Sequence, residues 1–274
     1  MKRWLLGSLS MILVASTAGA ATLWSAGHES DNTSEWSWNG GGGLFNSGKY
    51  RVDTSADRAH TGNYSLKAEI YTSSSLESGV RAFRWAESRK NRDLYYSAWF
   101  YIPTRPAING WNQIFQWKSR TSSRNDPFWY IEVIRRSNGT LGPKLTWWNG
   151  LGDVEGPHRG EHGGRTYSST AVIPVGQWFH LEGRLVQSPA FDGRVTFWLN
   201  GQQIFDQVNV KTGHRSCTYN SWCVTNEWSL NNYGRNISPS PYAIYIDDAV
   251  ISTARVGSTP TQAPQAPTGL RVAP

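Results

Sequence analysis

The sequence has few cysteines, no long apolar run after its first residues and no block of like charge. Two cysteines in 274 residues are too few for a small scaffold held together by disulfides. No segment beyond residue 20 approaches eighteen uncharged apolar residues, so no membrane-spanning helix and no membrane insertion are expected. Lys and Arg nowhere form a run of five or six, which argues against a nucleic-acid partner.

Several catalytic motifs are also missing from the sequence. It contains no G-x-S-x-G elbow, no HExxH, no Walker A loop and no dinucleotide-binding fingerprint. The E-x-D-x-x-E strand of laminarinase-type glycoside hydrolases is absent too, since Glu132 and Glu182 each stand alone on their segments. These absences exclude the common hydrolase, zinc-protease and nucleotide-dependent classes.

The first twenty residues have the pattern of a secretory signal peptide. Lys2 and Arg3 precede the apolar segment 4–14, and the small residues 18–20 form a cleavage pattern ahead of Ala21. We therefore expect an exported, extracellular protein. Without Lys2 and Arg3 the net charge falls from +7 to +5, and a moderately basic protein attracts acidic partners.

Three segments are expected: a signal peptide (1–20), one β-sandwich domain (21–255) and a Pro/Thr-rich linker (256–274). The end of the linker, APTGLRV, also resembles the start of a fibronectin type III domain. Cys217 and Cys223, with five residues between them and an oxidising compartment expected, are predicted to form a disulfide that closes a small loop. His158 and His162 in a Gly-rich loop are read either as ligands or as solvated side chains.

Period-two alternation predicts an all-β protein with about ten strands. Residues 178–186 place Phe179, Leu181 and Leu185 on one face, and Asn200-Gly201 has the sequence of a tight hairpin turn. In the segment NQIFQWK, alternation places Gln113 with Phe115 and Trp117 on one face, and Gln116 and Lys118 with Ile114 on the other. Short turns and scarce helix favour a two-sheet antiparallel sandwich with one polar face open to solvent.

Six segments follow the order seen in concanavalin A-like jelly rolls: YYSAWFYIP, WNQIFQWKSR, DPFWYIEV, VGQWFHLEGRL, GRVTFWLNGQQIFD and YAIYIDDAVIS. More narrowly, the chain resembles the polysaccharide lyase branch that includes heparin lyase I, glucuronan lyases and related alginate lyases. The likeness covers roughly residues 23–252. It implies a jelly-roll sandwich with a curved sheet that holds an acidic, uronate-containing polysaccharide and cleaves it by β-elimination.

The resemblance also implies catalytic roles. Gln116 lies in the segment matching a Q-x-H strand motif, with Lys118 in place of the histidine, and Arg81 and Arg84 match an early arginine strand in which Phe83 replaces a Glu. Lyases of this kind neutralise the uronate carboxylate and move a proton. The expected neutralisers are Gln116 and Arg84, and the expected electrostatic anchor is Lys118. The expected proton-transfer groups are Tyr233 or His180.

Eight further residues are candidates for contact with the sugar chain: Arg81, Tyr130, Glu132, Trp148, Glu182, Arg184, Trp198 and Asn231. The alternating His180, Glu182 and Arg184 are read either as an acid/base site beside Trp198 or as a cross-strand charge ladder. Trp147, Trp148 and Trp228 are assigned either to sugar stacking or to the core.

Glu29 and Asp248, near the first and last strands, are candidate ligands of a structural calcium ion, as in other sandwich proteins. No cofactor is expected for catalysis, and a monomer is expected. Two other functions stay open: a carbohydrate-binding module without catalysis, favoured by the 15 Trp, and a laminin G-like adhesion domain.

Overall fold

Antiparallel β-strands form nearly all of the regular structure. The computed structural model describes residues 21–37, 41–89, 91–119, 128–149, 163–213 and 226–257. Two 3₁₀ turns lie at Ser34–Trp36 and Glu87–Arg89. No helix in these ranges is long and apolar enough to cross a membrane. The strands are β1 (Thr22–Ala26), β2 (Gly42–Leu44), β3 (Lys49–Ser55), β4 (Ser65–Tyr71), β5 (Glu77–Arg84), β6 (Asp93–Tyr101), β7 (Ala107–Ser119), β8 (Phe128–Arg135), β9 (Leu141–Asn149), β10 (Gly163–Ser168), β11 (Trp178–Val186), β12 (Gly193–Leu199), β13 (Gln202–Val210), β14 (Asn226–Ser238) and β15 (Tyr242–Ser252).

The strands form two antiparallel sheets packed face to face. One is a seven-stranded sheet in the order β10-β9-β8-β7-β14-β5-β2. The other is an eight-stranded sheet in the order β13-β12-β11-β6-β15-β4-β3, with β1 paired to β15. The predicted all-β jelly-roll sandwich is confirmed. Each sheet therefore has one face toward the core and one outer face.

Period-two alternation located most of the long strands correctly. The predicted segments 65–71 and 178–186 coincide with β4 and β11. On β11, Phe179, Leu181 and Leu185 are buried in the core as the alternation requires. The predicted hairpin between β12 and β13 is also present, and its turn residues Asn200 and Gly201 have φ angles of 48° and 81°, in the left-handed region that such turns need.

The core between the sheets is rich in aromatic rings. The largest fully buried side chains include Trp36, Trp117, Trp129 and Trp228. The Phe115 and Trp117 ring centroids lie 5.1 Å apart in an edge-on arrangement, which favours contact between the positive edge of one ring and the negative face of the other. Much of the tryptophan content therefore serves packing.

Gly183 on β11 shows how closely the sheets approach. A Cβ atom at this position would lie 2.4 Å from Trp117 Cη2 and 2.8 Å from Phe197 Cε1. We expect Gly183→Ala to lower the free energy of unfolding by about 1–3 kcal/mol, because overpacking forces buried rings to move. Urea denaturation measures the change. Gly27→Ala is the matched control, since its Cβ would be 3.8 Å from Asp248, and equal stability of both variants would contradict this account.

A β-bulge corrects one expectation about β7. Strict alternation placed Gln113 on the face of Phe115 and Trp117, but the pairing of β7 with β8 shifts by one residue between Gln113 and Phe115. Ile114 is the additional residue and is buried, with 1% of its surface exposed. The shift brings Gln113 to the outer face together with Gln116 and Lys118, because an inserted residue reverses the alternation beyond it.

Candidate functional site

An open groove lies on the outer face of the seven-stranded sheet. Its volume is about 510 Å³, in the range of ligand-binding clefts. The lining side chains come from the segment after β2 and from five strands, β5, β7, β8, β9 and β14. They are Phe45, Arg81, Trp111, Gln113, Gln116, Lys118, Tyr130, Trp148 and Tyr233. Six of the residues singled out from the sequence, Arg81, Gln116, Lys118, Tyr130, Trp148 and Tyr233, thus meet at one surface.

Gln116 and Lys118 lie on the groove floor beside β14. Ser229 and Glu227 are their cross-strand partners in the register. The Asn231 side-chain amide donates to Gln116 Oε1 over 3.4 Å, and Lys118 Nζ lies 2.9 Å from Glu227 Oε1. The first contact leaves the Gln116 amide NH₂ group as the donor that can face a ligand. The second places a partly exposed ammonium group nearby.

Tyr233 is packed tightly against one side of the groove. The Arg81 guanidinium lies 3.7 Å from the centroid of the Tyr233 ring. Trp111 contacts the same ring edge-on, with 4.4 Å between the two ring centroids. Its hydroxyl donates to Glu77 Oε1. Burial, together with this hydrogen bond, raises the pKa of Tyr233 to about 12. Gly79 makes room for the ring, because a Cβ there would lie 2.5 Å from Tyr233 Cδ2.

Tyr130 is a second phenol in the same groove. Its cross-strand neighbours are Gln116 on β7 and Thr146 on β9. Burial and the nearby negative charge of Glu132 raise the pKa of Tyr130 to about 12. Glu132 lies 2.7 Å from Lys144 Nζ and accepts a hydrogen bond from the Thr146 hydroxyl at 2.9 Å. The groove therefore carries two neutral phenols among paired charges.

Two exposed aromatic side chains line the groove near opposite edges of the sheet. Phe45 follows β2 and is 57% exposed, while Trp148 on β9 is 42% exposed. The other two tryptophans considered for sugar stacking, Trp147 and Trp228, lie in the core instead. Trp148 is thus the member of that set that can stack on a sugar ring.

His180 does not belong to this groove, which corrects its pairing with Gln116 and Tyr233. It lies on β11 of the eight-stranded sheet, pairs with Trp99 and is 1% exposed. Burial and the neighbouring His60 and Arg255 lower the pKa of His180 to about 4. The two sheets have their outer faces on opposite sides of the sandwich, so His180 and Tyr233 cannot act on the same sugar unit.

Glu182, Arg184 and Trp198 also lie on the eight-stranded sheet and not in the groove. Glu182 is fully buried and accepts hydrogen bonds from Arg255 Nε at 3.1 Å and Val256 N at 2.6 Å. Arg184 forms a bidentate ion pair with Asp93, in which Nε lies 2.8 Å from Oδ1 and Nη2 lies 2.5 Å from Oδ2. Trp198 packs under the Arg255 guanidinium, 4.3 Å from its ring centroid. His180, Glu182 and Arg184 on β11 were interpreted either as an acid/base site or as a cross-strand charge ladder. These contacts favour the charge ladder, in which Glu182 also holds the segment after β15.

The structure also corrects the expected role of Arg84 as a neutraliser of the uronate carboxylate. Alternation along β5 turns Arg81 toward the groove and Arg84 toward the interior. Arg84 Nη2 lies 2.5 Å from Glu87 Oε1, and its guanidinium lies 4.8 Å from the centroid of the Trp24 ring. An arginine that is buried and paired in this way cannot neutralise a substrate carboxylate.

Glu29 and Asp248, the expected calcium ligands, are held by different donors. Glu29 accepts hydrogen bonds from Asn63 N and Tyr64 N at 2.9–3.0 Å. Asp248 contacts His60 Nδ1 at 2.6 Å and the Thr61 hydroxyl at 2.7 Å. Within the described ranges no three His, Cys, Asp or Glu side chains gather in a way that could hold a metal ion. The calcium site stays a prediction.

Other expectations fall on residues outside the described ranges. These are the signal peptide (1–20), Cys217 and Cys223, His158 and His162, and the linker from residue 258 onward. The segment after β15 contacts the sandwich as far as Val256, whose backbone N–H donates a hydrogen bond to Glu182 Oε1.

Sequence reasoning missed three groove residues. Gln113 was assigned to the opposite face because a bulge carries no clear signal in a single sequence. Phe45 follows a strand of three residues in a Gly-rich segment, and Trp111 follows Gly110 near the start of β7. The available signal was an aromatic residue next to glycine for Trp111 and an aromatic residue within a Gly-rich segment for Phe45.

Known structures with the same fold include several lyases. An endo-β-1,4-glucuronan lyase from the fungus Trichoderma reesei aligns with a TM-score of 0.57 at 13% identity over 85% of this chain and 96% of that one. An alginate lyase from Aplysia kurodai aligns with a TM-score of 0.54 at 12% identity over 84% and 98% of the two chains. A carbohydrate esterase of a Shiga toxin-encoding bacteriophage aligns with a TM-score of 0.50 at 14% identity over 85% and 99%.

At these identities the structural likeness is evidence for the fold alone. No curated protein matches the sequence significantly. The family model described as polysaccharide lyase, however, matches residues 23–223, a span that includes β2–β13, all but the first residue of β1 and most of the groove-lining side chains. The chain therefore belongs to the polysaccharide lyase family.

Proposed function

We propose that the groove binds an acidic, uronate-containing polysaccharide and cleaves it by β-elimination outside the cell. The observation that carries the proposal is the grouping of Gln116, Lys118, Arg81 and Tyr233 around one open groove. Amide, cationic and phenolic side chains are those that this chemistry requires. The signal-peptide pattern of residues 1–20 supports export.

Gln116 is assigned to neutralise the uronate carboxylate. The hydrogen at C5 of a uronate becomes acidic only when the charge developing on the neighbouring carboxylate is stabilised. The hydrogen bond from Asn231 to Gln116 Oε1 supports this role, because it occupies the Gln116 oxygen and leaves the Gln116 NH₂ group to donate to the uronate carboxylate. Arg81 and Lys118 add positive charge at the same surface.

Tyr233 is assigned to remove the C5 proton, and Tyr130 to protonate the leaving oxygen. The C5–H bond breaks, its electrons form the C4=C5 double bond, the C4–O bond breaks and the departing oxygen takes a proton. No oxidation state changes overall, so the reaction requires no redox cofactor. The Tyr233 hydroxyl has a defined hydrogen-bond partner in Glu77, and Tyr130 lines the same groove.

Phe45 and Trp148 are assigned to sugar stacking. Their exposed rings offer apolar faces to the CH-rich faces of sugars on either side of the polar groups. Asn231 is fully buried beneath the groove, so its proposed part is to hold Gln116 and not to contact the sugar chain itself.

The proposal is tested by incubating the purified protein with alginate, glucuronan, heparin and pectate. Elimination creates an unsaturated uronate, so absorbance near 235 nm should rise with at least one polymer. Binding to a polymer with no rise for any of the four would replace the lyase assignment with a carbohydrate-binding module.

Gly79→Ala tests the packing behind Tyr233 without changing any proposed reacting group. Its Cβ would lie 2.5 Å from the Tyr233 ring, and we expect kcat to fall about tenfold to a hundredfold as the hydroxyl is displaced. Gly43→Ala on β2 is the control, since its nearest neighbour is Phe83 at 3.5 Å. If both variants keep full kcat, the placement of Tyr233 does not matter for turnover.

A further inference from the structure

Glu77 lies at the start of β5, beside the hydroxyl of Tyr233. Its carboxylate accepts the hydrogen bond from that hydroxyl and is exposed to solvent. The other charged groups around the pair are Arg81, which covers the Tyr233 ring, and Arg235, the cross-strand partner of Glu77. Glu227 lies farther along β14 and interacts electrostatically with Arg81.

The proposed role of Tyr233 leaves one proton without a destination. Burial, the hydrogen bond to Glu77 and its charge hold the pKa of Tyr233 at about 12. At pH 7 only about one phenol in 10⁵ would then be ionised. A neutral tyrosine can accept a proton from carbon only if its own hydroxyl proton leaves at the same time.

We propose that Glu77 receives the hydroxyl proton of Tyr233 while the Tyr233 oxygen takes the proton from the substrate carbon. The inference rests on the proposed function and adds a residue that the resemblance does not imply. The C5–H bond breaks, a new O–H bond forms on Tyr233, its original O–H bond breaks and the carboxylate of Glu77 becomes a carboxylic acid. Glu77 is exposed, so it returns the proton to water after each turnover.

In this role Glu77 acts through Tyr233 and is a positioning residue that also accepts a proton. The pH dependence of kcat distinguishes this role from that of a purely structural contact. The carboxylate of Glu77 accepts the proton in the wild type, so kcat of the wild type should stay level from neutral to mildly alkaline pH. Without the carboxylate, elimination depends on the rare phenolate. The kcat of Glu77→Gln should therefore rise about tenfold per pH unit across the range in which the wild type is level.

The experiment compares the pH profiles of kcat and KM for the wild type, Glu77→Gln and Glu77→Asp on the polymer that is turned over. At pH 7 we expect Glu77→Gln to lose about a hundredfold in kcat with KM changed less than twofold, and Glu77→Asp to recover part of the loss. Glu69→Gln is the matched control. Glu69 accepts a hydrogen bond from the Tyr71 hydroxyl at 3.1 Å on the other sheet and should leave both constants unchanged.

A second readout does not depend on turnover. The alkaline absorbance change of Tyr233, taken as the difference between each protein and its Tyr233→Phe form, should occur at lower pH in Glu77→Gln, because Glu77 raises the pKa of Tyr233. An unshifted titration, or an active wild type whose Glu77→Gln variant keeps its kcat and pH profile, would overturn the inference alone. A wild type inactive on all four polymers would overturn the proposed function and this inference with it.

Discussion

Tyr233→Phe should reduce kcat about a thousandfold and leave the affinity for the polymer nearly unchanged. The substitution removes the oxygen that is assigned to accept the C5 proton, and loss of a general base typically costs a factor of 10²–10⁴. The ring itself remains, so its contacts with Arg81 and Trp111 persist. The readout is the rate of absorbance increase near 235 nm, with affinity measured by calorimetry.

Tyr71→Phe provides the control for this prediction. Tyr71 also donates its hydroxyl to a glutamate, Glu69, but on β4 of the eight-stranded sheet. It should keep the wild-type rate. If Tyr233→Phe were as active as Tyr71→Phe, Tyr233 would have no part in proton transfer.

Gln116→Ala should lower kcat about a hundredfold or more. Its amide is assigned to stabilise the charge that develops on the uronate carboxylate, and removing one such donor costs a factor of about 10²–10³. Gln116→Glu should be worse than Gln116→Ala, because it brings a negative charge to the same carboxylate. Steady-state kinetics on the favoured polymer measures both effects.

The order of these variants distinguishes electrostatic stabilisation from packing. Gln203→Ala, at an exposed position on β13 of the other sheet, should match the wild type. A role in packing alone predicts that the isosteric Glu variant retains more activity than the Ala variant. That order would contradict the assignment of Gln116.

The fold was largely predictable because its strands have simple alternation and its best turn has a distinctive sequence. β11 directs Phe179, Leu181 and Leu185 into the core between the sheets and the side chains of His180, Glu182 and Arg184 to the opposite face. The Asn200-Gly201 turn adopts the positive φ angles that its residues favour. Short strands such as β2, with three residues, lack enough length for a period to be visible.

The candidate site was predictable only in part, because alternation assigns a face but not a sheet. His180 and Gln116 both lie on outward faces, yet β11 and β7 belong to different sheets. Arg81 and Arg84 are three residues apart on one strand, so their side chains face opposite ways. The ion-pair partner of the buried Arg84 is Glu87, which lies in the 3₁₀ turn after the strand. The bulge at Ile114 reversed the face of Gln113 for a reason that only the pairing of β7 with its neighbours reveals.

A crystal structure of Tyr233→Phe with a uronate oligosaccharide of the cleaved polymer tests the central claim most directly. We expect the sugar chain to run across the seven-stranded sheet between Phe45 and Trp148, with one carboxylate within hydrogen-bonding distance of the Gln116 amide. A chain bound instead on the eight-stranded sheet, near Trp99 or Trp178, would contradict the account.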